Sequence, residues 1–113
     1  MTETEFIARA DRTLATIGSA LDEALAASDA DVDWSLNDGI LAIECEDGSK
    51  VIINRHVPNR EIWVAARSGG FHFRIEDGSW RDTRGGAELG AEVARLLAEQ
   101  AGVRMAVPAL SAG

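Results

Sequence analysis

The stretch NREIWVAARSGGFHF, residues 59–73, contains two short strand patterns around a glycine pair. In its first half, apolar and polar positions alternate, so Ile62 and Val64 point to one side of a strand while Trp63 points to the other. The side with Ile62 and Val64 is predicted to face the core. The opposite side presents a large aromatic ring among small and polar residues. It is therefore predicted either to lie under a second layer or to meet a partner.

Helical spacing dominates the two ends of the chain. Thr2 and Glu5 have capping-box spacing, and the apolar residues that follow recur every three or four positions, which predicts a helix from residue 3 to about residue 26. A second helix is predicted near the C-terminus, and Gly102 is expected to end it. The apolar positions that define this second helix are Leu89, Val93, Leu96 and Leu97.

Strand patterns fill the region between the two helices, and turn signals separate them. NDG at 37–39 and EDGS at 46–49 are typical of tight turns between antiparallel strands. The strand patterns are VDWSL, ILAIEC, KVIINRH, EIWVAA and GFHFRI, with a possible sixth at SWRD. The ILAIEC alternation places Cys45 with Leu41 and Ile43, so this cysteine is predicted to be a core residue and not a nucleophile.

The order of these elements predicts the fold class. Consecutive strands joined by short turns form an antiparallel sheet, and two amphipathic helices can cover only one of its faces. We therefore predict an α+β fold, a two-layer α-β sandwich with the N- and C-terminal helices packed on one face of a five- to six-stranded antiparallel sheet. Residues 1–113 are predicted to form a single domain. Trp63 is predicted to lie on the open face with Asn54 and His72.

Charge is distributed unevenly along the chain. Residues 1–47 contain twelve of the nineteen acidic residues but only two of the eleven basic ones, Arg9 and Arg12, while the whole chain carries a formal charge of −8. Such an N-terminal half repels nucleic acid and anionic lipid and attracts cations or a basic protein surface. The sequence therefore predicts no nucleic-acid partner and no membrane partner. Acidic surface that only confers solubility is the alternative.

Cellular location is predicted from what the sequence lacks. The longest apolar run is far below the roughly 18 residues that a membrane span needs, and MTETEF at the N-terminus lacks the pattern of a signal peptide. The single cysteine cannot form an internal disulfide, which agrees with a reducing compartment. We expect a soluble, cytoplasmic protein.

Several sequence blocks occur together and in order along nearly the whole chain. They are the first helix with its acid-rich junction to the first strand, GSKVIINRHVPNREIWVAA (48–66), SGGFHF (68–73) and WRDTRGGAEL (80–89). In these blocks the chain resembles the frataxin family, in its bacterial CyaY form. The resemblance implies a frataxin-like sandwich that binds iron through exposed carboxylates. It also implies that the protein docks on the cysteine desulfurase and scaffold of the iron-sulfur assembly machinery and thereby modulates cluster synthesis.

The candidate metal ligands are acidic residues of the first helix and of its junction with the first strand. Asp11 and Asp22 lie eleven residues apart, about three helical turns, and so share a face. The full candidate set is Glu3, Asp11, Asp22, Glu23, Asp29, Asp31 and Asp33, which we call the acidic ridge. Carboxylate oxygens suit hard cations, and spacing alone does not select iron over calcium, magnesium or manganese. The expectation is weak binding of Fe²⁺ or Fe³⁺ with competition from other divalent cations.

The sequence also departs from the family pattern. Gly18 and Ser19 stand where bacterial members commonly have acids, which predicts fewer or weaker iron sites. His56 stands where the family usually has glutamine. A lone exposed histidine of this kind is predicted to have no functional role, although it could add a ligand or a charge switch.

The candidate docking residues are Asn54, Arg55, Trp63 and His72. With no recognisable catalytic motif, the chain is predicted not to be an enzyme. The expected function is that of an iron-binding regulator and iron donor that acts on the desulfurase and scaffold, as a monomer when metal-free. Two alternatives remain open: a metal-independent acidic interaction module, and a ferroxidase or iron-storage protein.

Overall fold

Two helices and six strands make up residues 1–107, the part of the chain that the computed structural model describes. In chain order they are α1 (Glu3–Ala26), β1 (Asp33–Asn37), β2 (Ile40–Glu44), β3 (Lys50–His56), β4 (Glu61–Ala66), β5 (Gly69–Glu76), β6 (Ser79–Asp82) and α2 (Leu89–Ala101). The predicted single domain, 1–113, also includes residues 108–113, which lie outside the described residues. Within the described part, no helix is both long enough and apolar enough to cross a membrane.

Helix α1 begins at the predicted capping box. The Glu5 amide donates to the Thr2 hydroxyl at 3.1 Å, and the Thr2 amide donates to the Glu5 carboxylate at 3.3 Å. These two bonds satisfy amide groups that have no partner within the helix. The buried face then follows the predicted apolar positions, including Phe6, Leu14 and Leu21.

The six strands pair in sequence order, β1 to β6, and every pairing is antiparallel. Three of the connections are two-residue hairpin turns, and in two of them, Asp38–Gly39 and Asp77–Gly78, both residues have positive φ. Such turns match the right-handed twist of the strands they connect. The sixth strand, which the sequence indicated only as a possibility, is present at Ser79–Asp82.

The core lies between the sheet and the two helices, so the predicted α+β sandwich is confirmed. Trp80 of β6 is fully buried; its ring packs edge-to-face on Phe6, with ring centroids 6.0 Å apart, and its Nε1 donates to the Thr13 hydroxyl at 2.9 Å. Cys45 is buried as predicted. Helix α2 ends at Ala101 and is capped, as predicted, by Gly102, which has a left-handed φ of 67°.

Gly18 allows close packing of Trp34 on α1, although glycine is unfavourable within a helix. A Cβ atom at this position would lie 2.8 Å from Cη2 and 3.0 Å from Cζ3 of Trp34, so a larger residue would displace the indole ring. The indole is fixed in turn by Nε1, which donates to the Asp22 carboxylate at 3.0 Å. The close approach of β1 to α1 therefore explains why a helix interior tolerates glycine here.

We expect Gly18→Ala to give no net stabilisation. The gain in helix propensity, about 1 kcal/mol, should be offset because the new methyl group displaces Trp34 and breaks its hydrogen bond to Asp22. In a Trp34→Ala background the same substitution should stabilise the protein by about 1 kcal/mol. Urea unfolding of the four proteins measures both effects, and a full gain in the presence of Trp34 would contradict this explanation.

Candidate functional site

The open face of the sheet contains a row of residues that the register aligns across three strands. Asn54 of β3 pairs with Trp63 of β4, and Trp63 pairs with His72 of β5. These three predicted docking residues therefore lie side by side, as their alternation indicated. Ile40 of β2 pairs with Asn54 and extends the row; it is 45% exposed, which is unusual for a large aliphatic side chain in the described structure.

Trp63 lies between two histidine rings. The His56 ring stacks on one face of the indole with centroids 3.6 Å apart and an interplanar angle of 8°, and the His72 ring stacks on the other face at 4.3 Å and 6°. The three nearly parallel rings, His56, Trp63 and His72, form what we call the ring stack. Both π faces of the indole are covered, while Trp63 itself remains half-buried.

His56 was predicted to be a lone exposed histidine, and this prediction is wrong. It is half-buried because it occupies the last position of β3 and faces the same side of the sheet as Trp63. Its Nδ1 is inaccessible to solvent and has no hydrogen-bond partner within residues 1–107. Stacking on the indole, and not a polar contact, is therefore the interaction that the structure shows for this side chain.

Glu61 binds the indole N–H of Trp63. Its Oε1 accepts a hydrogen bond from Trp63 Nε1 at 2.9 Å, and its Oε2 accepts one from Arg74 Nη2, also at 2.9 Å. His72 Nδ1 lies 3.7 Å from Oε1. Burial alone would raise the pKa of the Glu61 carboxyl, but the hydrogen bonds from Trp63 and Arg74 and the charge of Arg74 hold that pKa below its ordinary value.

Arg55 does not lie with the other predicted docking residues. It alternates with Asn54, so its side chain points to the helix side of the sheet, where Nη1 bonds to the Asp11 carboxylate and Nη2 lies 3.6 Å from Asp38 Oδ1. Arg55 therefore lies on a different surface from Asn54 and Trp63, and its docking role stays a prediction. Strand alternation alone separates neighbouring residues in this way.

The acidic ridge is exposed but dispersed. Asp11 and Asp22 share a face of α1 as predicted, yet eleven residues of helix separate them by about 16 Å, too far to bind one ion together. Among residues 1–107, no three His, Cys, Asp or Glu side chains are grouped closely enough to hold a metal ion. All seven ridge residues, Glu3, Asp11, Asp22, Glu23, Asp29, Asp31 and Asp33, are exposed.

Two ridge carboxylates already have partners in the fold. Asp11 forms the ion pair with Arg55, and Asp22 accepts the hydrogen bond from Trp34. The shortage of basic residues in 1–47 therefore does not leave Asp11 without a basic partner, because β3 brings Arg55 against α1. The arrangement suits diffuse electrostatic attraction of cations better than chelation by a defined set of ligands.

Sequence reasoning missed Glu61 and the role of His56. Both could have been found from alternation, since Glu61 lies two residues before Trp63 and His56 lies two residues after Asn54. The further signal is the strand register, in which His56 pairs with Glu61 and Glu61 pairs with Arg74. That register depends on the length of the 57–60 turn, which the sequence pattern leaves open.

Known proteins match this chain along most of its length. The family model described as a frataxin-like domain matches residues 1–103. A protein of Dechloromonas aromatica named iron-sulfur cluster assembly protein CyaY is 52% identical over 103 residues, 90% of this chain and 94% of its own length. The protein of the same name from Cupriavidus metallidurans is 44% identical over 105 residues, 93% of this chain and 95% of its own length.

Solved structures give the same result. Frataxin from Psychromonas ingrahamii superposes with a TM-score of 0.86 at 30% identity, covering 96% of this chain and 99% of that one. Trimeric frataxin from the yeast Saccharomyces cerevisiae, described as a complex with ferrous iron, superposes with a TM-score of 0.72 at 26% identity, covering 80% and 83% of the two chains. The predicted resemblance is confirmed, and the chain belongs to the frataxin family.

Proposed function

We propose that this protein acts in iron-sulfur cluster assembly as an iron-binding regulator and iron donor that docks on the cysteine desulfurase and its scaffold. The names of its relatives as iron-sulfur cluster assembly proteins support the general role. The observation that carries the proposal is that the molecule has two different surfaces. The acidic ridge lies on α1 and its junction with β1, and the ring stack lies on the sheet face that the helices leave open.

In this proposal the ridge attracts iron and docks against basic surfaces. Exposed carboxylates are hard ligands, and a dense group of them raises the local concentration of cations. Because the described ridge residues are spread along a helix and a loop, each ion is held by few protein oxygens and by water. Iron binding is therefore weak, and other divalent cations compete. The metal-free protein is a monomer and performs no reaction of its own.

A metal-independent interaction module is the second candidate. Two observations favour it: the described residues bring no three ligating side chains together, and the ion pair to Arg55 already engages Asp11. In this case the ridge only complements a basic partner. Oxidation or storage of iron is the third alternative, which predicts oxygen-dependent loss of ferrous iron faster than in a protein-free control.

An iron titration of the ridge separates the first two candidates. A variant with Asn or Gln at Asp22, Glu23, Asp29, Asp31 and Asp33 should lose the NMR shifts that ferrous iron causes under anaerobic conditions. Its apparent affinity should fall about tenfold or more, because the electrostatic attraction is removed. Asp11 is left in place, since its ion pair with Arg55 also contributes to structure.

The control variant carries Glu76→Gln and Asp77→Asn, which remove acids from the end of β5 and the turn that follows it, far along the sequence from the ridge. It should titrate like the unmodified protein. Spectra are compared at matched ionic strength, because salt screens exposed charges over about 10 Å at 0.1 M. Equal iron shifts in the ridge variant and the unmodified protein would rule out these five carboxylates as the metal site. Docking would then have to be metal-independent.

A further inference from the structure

Glu61 is a buried carboxylate on a face of the sheet that otherwise meets solvent. It is 4% exposed, although its neighbours in the sheet, His72 and Arg74, are exposed. Removing a carboxylate from water is costly unless its oxygens are paired and hydrogen-bonded. The Glu61 side chain meets this condition by binding one donor on each oxygen, Trp63 and Arg74.

These contacts determine which parts of Trp63 remain accessible. The indole N–H is occupied by Glu61, and the two ring faces are covered by His56 and His72. What remains for contact is the carbon-bound edge of the ring. An indole presented in this way offers apolar contact, but it offers neither a free hydrogen-bond donor nor a free π face.

We propose that Glu61 is a positioning residue, which holds Trp63 edge-on so that a docking partner contacts only the carbon edge of the indole. The inference depends on the proposed docking role of Trp63. Glu61 acts through the indole, because its own oxygens are buried. The charged and titratable groups that face Glu61 are His56 from β3 and His72 and Arg74 from β5. Among them, the Arg74 guanidinium forms the ion pair that balances the charge of the Glu61 carboxylate.

The first test observes the indole in the isolated protein. Glu61→Ala should shift the ¹⁵N–¹H signal of the Trp63 indole and speed its exchange with solvent, because the acceptor is lost. Glu76→Ala is the matched control, since it removes a carboxylate from the same face of the sheet, at the end of β5, and should leave that signal in place. Glu61→Gln keeps the side-chain size but can satisfy only one of the two donors, so an intermediate shift of the indole signal is expected. This variant replaces Glu61→Ala in the test if Glu61→Ala folds poorly.

Acidification gives a second readout of the same contact. Because the pKa of Glu61 is held below its ordinary value, the carboxylate keeps its bonds at a pH where an ordinary glutamate is half-protonated, and they are lost only as the pH falls through the lower folded-state pKa. The indole signal of the unmodified protein should move in that acidic range. In Glu61→Gln the same movement should be absent.

The third test measures docking on the cysteine desulfurase and scaffold complex. Losing the positioning hydrogen bond should weaken binding of Glu61→Ala about three- to tenfold. In a Trp63→Phe background, which has no indole N–H, Glu61→Ala should have no further effect. An indole signal unchanged by Glu61→Ala would overturn the proposal, and so would an equal loss of binding in the two backgrounds. If Trp63→Ala binds normally, the docking role fails instead, while the indole signal still decides whether Glu61 positions the ring.

Discussion

Replacing Trp80 by alanine is expected to lower the unfolding free energy by about 3 to 5 kcal/mol. Trp80 is fully buried, packs on Phe6 and donates a hydrogen bond to Thr13, so its removal leaves a large cavity between α1 and β6. A single domain of this size has a total stability of only about 5 to 15 kcal/mol. The variant should therefore be close to unfolding at physiological temperature.

Urea unfolding of Trp80→Ala and Trp80→Phe measures this effect. Trp80→Phe retains most of the apolar contact and should be less destabilised. The Thr13 hydroxyl remains bonded in that variant, because it also donates to the Arg9 carbonyl at 2.9 Å. A loss below about 1 kcal/mol for Trp80→Ala, the size of a typical surface or mild substitution, would show that β6 is not part of the core.

The three tryptophans show how far alternation predicts the fold. Trp34 lies on the same side of β1 as Val32 and Leu36 and packs against α1, which agrees with the period of two. Trp63 lies on the opposite side of β4 from Ile62 and Val64, on the open face, as predicted. Trp80 belongs to a strand of four residues, too short for a period of two to be convincing. Its burial depends on α1 lying across β6, which is a property of the tertiary fold.

The candidate site was less predictable than the fold. Alternation placed Trp63 on the open face, but the ring stack depends on which residues lie beside it on β3 and β5. That depends on turn length and register, and a shift of one residue would move His56 and His72 to the other face. Arg55 illustrates the converse, because its position next to Asn54 in the strand was sufficient to predict the helix side, and the docking set did not use that information.

The acidic ridge was predictable in composition but not in geometry. Counting acids in residues 1–47 identified a surface that attracts cations, and the helical period put Asp11 and Asp22 on one face. Neither pattern shows that Arg55 and Trp34 would engage these two carboxylates. Contacts between α1 and the sheet join residues far apart in sequence, so they follow from the packed structure alone.

Trp63→Ala is expected to weaken docking on the desulfurase and scaffold complex by on the order of 2 kcal/mol, about 30-fold. Aromatic residues that are half-buried on an open surface often dominate the energy of an interface, because binding removes the rest of their apolar area from water. Trp63 fits this description, with Ile40 in the same row of the sheet as an exposed apolar neighbour.

The same substitution should cost less stability than the roughly 3 to 5 kcal/mol of a core aromatic. Its loss removes the ring stack and one hydrogen bond to Glu61, but Arg74 still pairs with that carboxylate and the core on the helix side is unchanged. Calorimetric titration of the partner complex gives the affinity, and urea unfolding beside Trp80→Ala gives the stability. A Trp63→Ala protein that unfolds as easily as Trp80→Ala would place Trp63 among the structural residues. Normal stability combined with normal affinity would move the docking surface elsewhere, with the acidic ridge as the remaining described candidate.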